Sequence, residues 1–150
     1  MLSNDIYSLF KAHNHASQAS GCGKVKVGAL IVDQHGMHHY GANRVVNGAS
    51  GCSWPNNPIC NKILPHDGKL HCVSTIHAEI DAIVTAKRNL YRSTIWVTRY
   101  PCEACARTIV VAGIKTVVYG RATEISQKTR EIFSEASVVC RHVPEFDEEE

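Results

Sequence analysis

Apolar residues in this chain recur with two different spacings, and the switches between them divide it into elements. Ile6, Leu9, Phe10 and His13 fall on one face at helical spacing, which predicts a helix over about Asn4 to Ser20. "KVKVGALIVD" alternates and then turns apolar, as a half-buried strand does. "QHG" reads as a turn and "MHHYGANRVV" as a second strand, so the pair predicts a hairpin. In "IHAEIDAIVTAKR" the spacing of Ile76, Ile80, Ile83 and Val84 is helical again, with Ser74 or Thr75 as the expected N-cap. "STIWVTRY" predicts a third strand. "CEACARTIVVAG" predicts a helix opened by Pro101 and stopped by Gly113. "KTVVYG" is a strand, "EISQKTREIFSEA" a helix and "SVVCRHV" a fifth strand.

Strands alternating with helices after a hairpin predict a layered α/β domain. There are no internal repeats. Residues 1–144 form one expected domain, and "EFDEEE", residues 145–150, a solvated acidic tail. One stretch, Asn47 to Cys72, has neither period and is rich in Gly, Pro, Asn, Cys and His. Unstructured loops longer than about 12–15 residues are uncommon in compact domains and are usually functional or disordered.

Charge and composition narrow the picture. The chain has 150 residues, 44% of them apolar and 20% charged, and no apolar run approaches the ~20 residues of a membrane helix. The N-terminus lacks signal-peptide anatomy, so a cytoplasmic location is the expectation. The net charge of +2 is uneven: five of the 14 acidic residues lie in the tail, leaving 16 basic against nine acidic residues, or +7, in the body. A basic body suits an anionic ligand, although solubility alone also accounts for it. Seven cysteines, an odd number, do not describe a disulfide framework in such a protein. Cys and His clustered in this setting point to metal binding or catalysis.

The densest chemistry lies in "STIHAEIDAI" and "YPCEAC". His77, at the start of a helix, meets a positive dipole end that disfavours imidazolium and leaves a ring nitrogen free for metal. Cys102 and Cys105, three apart at the next helix start, present both thiols on one face, where the dipole favours thiolate. One nitrogen and two sulfurs leave a fourth tetrahedral position open, as in a catalytic zinc (Zn2+) site. Glu79, two residues beyond His77, is then placed to take a proton from water at that position and deliver it to substrate.

H-x-E followed by P-C-x-x-C is a known signature of zinc deaminases. "HCVSTIHAEIDAI", "IWVTRYPCEACARTIVVAGI" and "VVYG" resemble the deoxycytidylate (dCMP) deaminases of the cytidine deaminase superfamily, and the likeness extends to "GCGKVKVGALIVD" and "GAN". "PCEACA" is closer to that branch than to the P-C-G-x-C of free-cytidine deaminases or the P-C-x-M-C of tRNA adenosine deaminases. The resemblance implies a cytidine-deaminase-like three-layer domain, a five-stranded mixed sheet flanked by helices. It also implies hydrolysis of dCMP to dUMP and ammonia, a homo-oligomer (a hexamer in the family) and dCTP or dTTP as effectors. Two stretches depart from the branch, which commonly shows H-A-E-x-N where this chain has Asp81, and G-Y-N-G where it has "GANR", Gly41 to Arg44.

By the same resemblance Asn43 matches the asparagine that contacts the sugar, Lys24 stands where a cation meets the nucleotide phosphate, and Tyr100 is placed to pack on the base. Each has a plainer reading: turn residue, surface lysine and core aromatic. Some members of the branch hold a second, structural zinc, which here maps onto Cys22, Cys60, His71 and Cys72, with Cys52 and His66 as substitutes; scattered free thiols are the alternative. Cys140, on an apolar strand, reads as core. Three other functions stay open. The same chemistry on dCTP or a modified dCMP is one. Action on a base in a polynucleotide is another, disfavoured by 7% aromatic content and no basic cluster. A non-catalytic zinc module is the third, and it has no use for Glu79.

Overall fold

Alternation along the predicted strands is resolved by a sheet with helices on both faces. A computed structural model describes residues 4–21, 25–46, 62–63, 70–71, 75–122 and 125–147, with backbone alone at 62–63 and 70–71. In chain order these form α1 (Asn4–Ala19), β1 (Gly28–Val32), β2 (His38–Ala42), β3 (Lys62–Ile63), β4 (Leu70–His71), α2 (Ala78–Ala86), β5 (Thr94–Arg99), α3 (Glu103–Val111), β6 (Thr116–Arg121), α4 (Gln127–Glu135), β7 (Val139–His142) and α5 (Pro144–Asp147). Five strands make one mixed sheet in the order β2-β1-β5-β6-β7, and β3 pairs with β4 in a separate two-stranded ladder. β1 is antiparallel to both neighbours, whereas β5, β6 and β7 run parallel, joined by α3 and α4. No helix among the described residues is long and apolar enough to cross a membrane.

The period-two pattern divides each central strand between two cores. Ile95 and Val97 of β5 and Val117 of β6 pack with Ala78 and Ala82 of α2, Ala106 and Ile109 of α3 and Phe133 of α4. Trp96 and Val118, the alternate positions, meet Ile6 and Leu9 of α1 and Phe146 of α5 on the opposite face. Three layers result, with α2 and α3 side by side on the face that bears the chemistry. Polar staples fix the α1 layer and the hairpin. Asp5 accepts from Trp96 Nε1 at 3.0 Å and from Arg141 at 3.1 Å. At the β1–β2 turn the buried Asp33 carboxylate accepts the His35 and Met37 amides, His39 Nε2 at 2.9 Å and Arg88 Nε at 3.1 Å.

Three local expectations are corrected. The N-cap of α2 is His77 itself, because Thr75 bridges Val45 and the Ile76 amide donates to the Arg44 carbonyl, which keeps the chain extended up to His77. Cys140 is exposed, because β7 is the edge strand and carries Arg141 and His142 rather than a buried face. The tail beginning at residue 145 is not wholly solvated: Phe146 is 1% exposed and completes the α1-side core.

Candidate metal centre

The sharp turns into α2 and α3 bring the chemistry together. His77 is the last extended residue before α2 (φ −68°, ψ 145°), and Cys102 holds the same place before α3 (φ −79°, ψ 174°). Neither side chain caps its helix, so both remain available to a ligand. Cys105 follows in the first turn of α3 and is buried. His77 Nδ1 lies 3.2 Å from Cys105 Sγ and 3.6 Å from Cys102 Sγ, and the three ligand atoms all fall within 4.8 Å of one another. A tetrahedral zinc with ordinary bond lengths sets N···S at roughly 3.6 Å and S···S at roughly 3.8 Å, so the donors fit this metal in both type and spacing.

α2 reaches this point because β2 lets it approach. Gly41 lies under the helix, where a side-chain carbon would overlap the Ala78 carbonyl oxygen and sit 2.5 Å from the Ala82 amide nitrogen. Glycine in the strand and alanines in the helix therefore set the depth of α2 against the sheet. Glu79 sits one residue inside that seam and is 4% exposed.

The three candidate ligands and Glu79 shift one another's proton affinities. The hydrogen bond from Cys105, with help from His77, holds the Cys102 thiol down at about 3 against the opposing effect of burial. Cys105 is pushed up by the same pairing, by its burial and by the neighbouring Glu79. Its hydrogen bond to Cys102 raises His77, while burial opposes. Burial raises Glu79, leaving a carboxyl group able to carry a proton. A metal held by these residues would need both thiols deprotonated and a ring nitrogen of His77 free of its proton, so its binding would release protons.

Other expected site residues are placed as follows. The Asn43 Oδ1 accepts from the Val27 amide at 3.0 Å and the Ser20 hydroxyl at 2.6 Å, and its Nδ2 donates to the Val25 carbonyl at 2.7 Å. Those bonds tie the end of β2 to the approach to β1. Tyr100 packs edge-on to Tyr119 and Phe133, and desolvation pushes its hydroxyl up to about 12. Lys24, Cys22, Cys52, Cys60, His66 and Cys72 lie outside the described residues, and of His71 only the strand pairing with Lys62 is described. Arg44 and Asp81 each stand out in the sequence, but their contact is visible only in the fold: Arg44 Nε donates to Asp81 Oδ1 at 2.7 Å. That both depart from one family pattern was the available signal.

Comparison with known proteins agrees with this geometry. Residues 2–121 match the family model described as the cytidine and deoxycytidylate deaminase zinc-binding region. The chain is 34% identical over 143 residues to ComE operon protein 2 of Bacillus subtilis (strain 168), covering 93% of this chain and 71% of that one. It is 36% identical over 109 residues to the deoxycytidylate deaminase of Mycobacterium phage D29, covering 69% and 84%. The crystal structure of dCMP deaminase from cyanophage S-TIM5 in complex with dCMP and dUMP shares the fold, with TM-score 0.69 and 24% identity over 95% of this chain and 100% of that one.

Proposed function

The chain belongs to the cytidine and deoxycytidylate deaminase family, and on that premise we propose that it hydrolyses dCMP to dUMP and ammonia with a resident zinc ion. The observation that carries this is the set of His77, Cys102 and Cys105 ligand atoms within 4.8 Å, with the buried Glu79 beside it. Zinc held there supplies the Lewis acidity that makes water a nucleophile near neutral pH. Proton movement falls to the chain. Glu79 takes a proton from the attacking water, gives it to N3 of the cytosine ring, and moves a second to the departing amine. C4 gains the oxygen of water and loses its exocyclic nitrogen as ammonia.

The name of the phage D29 relative and the basic body support dCMP over the free nucleoside. Lys24 is assigned to the phosphate, as a point charge rather than a bidentate fork. A second zinc drawn from Cys22, Cys60, His71 and Cys72, a homo-oligomeric assembly and dCTP or dTTP regulation complete the proposal. Elemental analysis showing one zinc per fully active chain removes the second ion. Light scattering tests the assembly, and dCMP saturation curves with and without dCTP test the regulation. The substrate is tested by ammonia release from cytidine, CMP, dCMP, dCTP and single-stranded DNA. The highest kcat/KM is expected for dCMP; preference for cytidine or DNA overturns the assignment.

A further inference from the structure

Arg44 and Asp81 meet where the end of β2 joins the start of α2. The Asp81 side chain is 3% exposed and that of Arg44 is 40% exposed. One Asp81 oxygen accepts from Arg44 Nε at 2.7 Å, and the other from the Ala42 amide at 3.1 Å. The main chain of Arg44 makes a second link, its carbonyl accepting the Ile76 amide at 3.0 Å, one residue before His77. Asp81 is linked to the same place through its own amide, which closes the first turn of α2 on the His77 carbonyl at 2.9 Å. The segment that delivers His77 is thus held by the backbone of Arg44, and the helix that follows it by the side chain of Arg44.

We propose that Arg44 and Asp81 act as one positioning pair that fixes His77, and the Glu79 that follows it, against the two thiols of α3. Two residues that each look out of place alone satisfy one another, one supplying the buried carboxylate and the other its counter-charge. This rests on the assignment of His77, Cys102 and Cys105 as the zinc centre. The burial makes the pair unequal. Removing the guanidinium strands a carboxylate that water cannot reach, which is costly. Removing the carboxylate frees an arginine that solvent already touches. Replacing both leaves no charge to strand.

Zinc release to a chromogenic chelator, measured without substrate on zinc-loaded protein, tests this directly. The variants are Arg44→Ala, Arg44→Lys, Asp81→Asn and the double Arg44→Ala/Asp81→Asn, with kcat and KM for dCMP measured in parallel. Groups that orient metal ligands typically change metal affinity or activity by about 10- to 100-fold. Arg44→Ala is expected to speed zinc release and lower kcat within that range while KM moves less. Asp81→Asn should do less, and the double variant should lie closer to wild type than Arg44→Ala. Arg44→Lys, which keeps a charge but not the Nε geometry, should fall between and carries the test if Arg44→Ala does not fold. Wild-type zinc release and kcat in Arg44→Lys and Asp81→Asn, with only the melting temperature lowered, would overturn the proposal. A double variant as impaired as the two singles added together would overturn it too. Failure to deaminate dCMP leaves the zinc-release comparison intact, so an error in substrate remains distinguishable from an error here.

Discussion

Substituting alanine for Gly41 adds one methyl group at the seam between β2 and α2, and its effect follows from the distances there. The new carbon would stand 2.5 Å from the Ala82 amide nitrogen and closer still to the Ala78 carbonyl oxygen, whereas ordinary contact begins at 3.4 Å. Relieving the first overlap alone requires 0.9 Å of movement (3.4 less 2.5), and both clashing atoms are backbone, so no side chain can yield instead. α2 must therefore lift from the sheet by about 1 Å, and His77 and Glu79 move with it. Overpacking of this kind costs about 1–3 kcal/mol, equivalent to about 2–10 °C in melting temperature for a domain of this size. The catalytic loss is larger in proportion, since a misplacement of about 1 Å costs about 100-fold in rate. Gly28→Ala is the matched control. Its side-chain carbon would overlap the Ala12 carbonyl of α1, on the face without the site. Melting temperature and dCMP turnover measured together separate the two: both variants should lose stability, but only Gly41→Ala should lose about 100-fold in kcat, with Gly28→Ala within about threefold of wild type. A Gly41→Ala protein with wild-type kcat, or equal kcat losses in both, would refute the claim that this seam sets the catalytic geometry.

The Asp33 carboxyl is held well below its ordinary value of 3.8, chiefly by the His39 hydrogen bond, with the Met37 and His35 amides and Arg88 adding to it. A carboxylate lowered in the folded state stabilises fully above pH 3.8 and loses that contribution as pH falls below it, so Asp33→Asn should be less stable near neutrality and show a flatter acid dependence below pH 3.8. Acid titrations followed by circular dichroism check this, and parallel curves for the two proteins would contradict it. Phe146→Ala should cost about 3–5 kcal/mol and lower the melting temperature by about 10 °C. Truncation after Pro144 should do the same, and an unchanged melting temperature would show that α5 adds nothing to the core.

The fold follows the local sequence wherever local chemistry sets structure. The strand expected over "STIWVTRY" is β5, in which the fold sets Ile95 and Val97 on one face and Trp96 on the other, and Gly113 ends α3 with φ 84° as its position predicted. "HAE" and "PCEAC" were legible because their spacing is meaningful only at helix starts. What escaped depends on partners distant in the chain. Thr75 looked like an N-cap because the residue it pairs with, Val45, is 30 positions away. Cys140 looked buried because the four residues of "VCRH" cannot reveal that, among the described residues, no strand lies beyond them in the sheet. Asn43 offered two roles, and the bonds that occupy its amide come from Ser20, Val25 and Val27, which no local pattern connects to it. Arg44 and Asp81, 37 residues apart, read as separate oddities until the fold brought them to 2.7 Å.

The central claim is that Glu79 moves protons for a hydrolysis supported by zinc on His77, Cys102 and Cys105, and it is tested most directly by measuring zinc content and dCMP turnover on the same samples of wild type and Glu79→Ala. General acid–base catalysis by one positioned group is typically worth about 10²–10⁴ in rate, and Glu79 serves both proton transfers. Glu79→Ala should therefore hold as much zinc as wild type and lose at least about 100-fold in kcat. Turnover equal to wild type at equal zinc content would contradict the account.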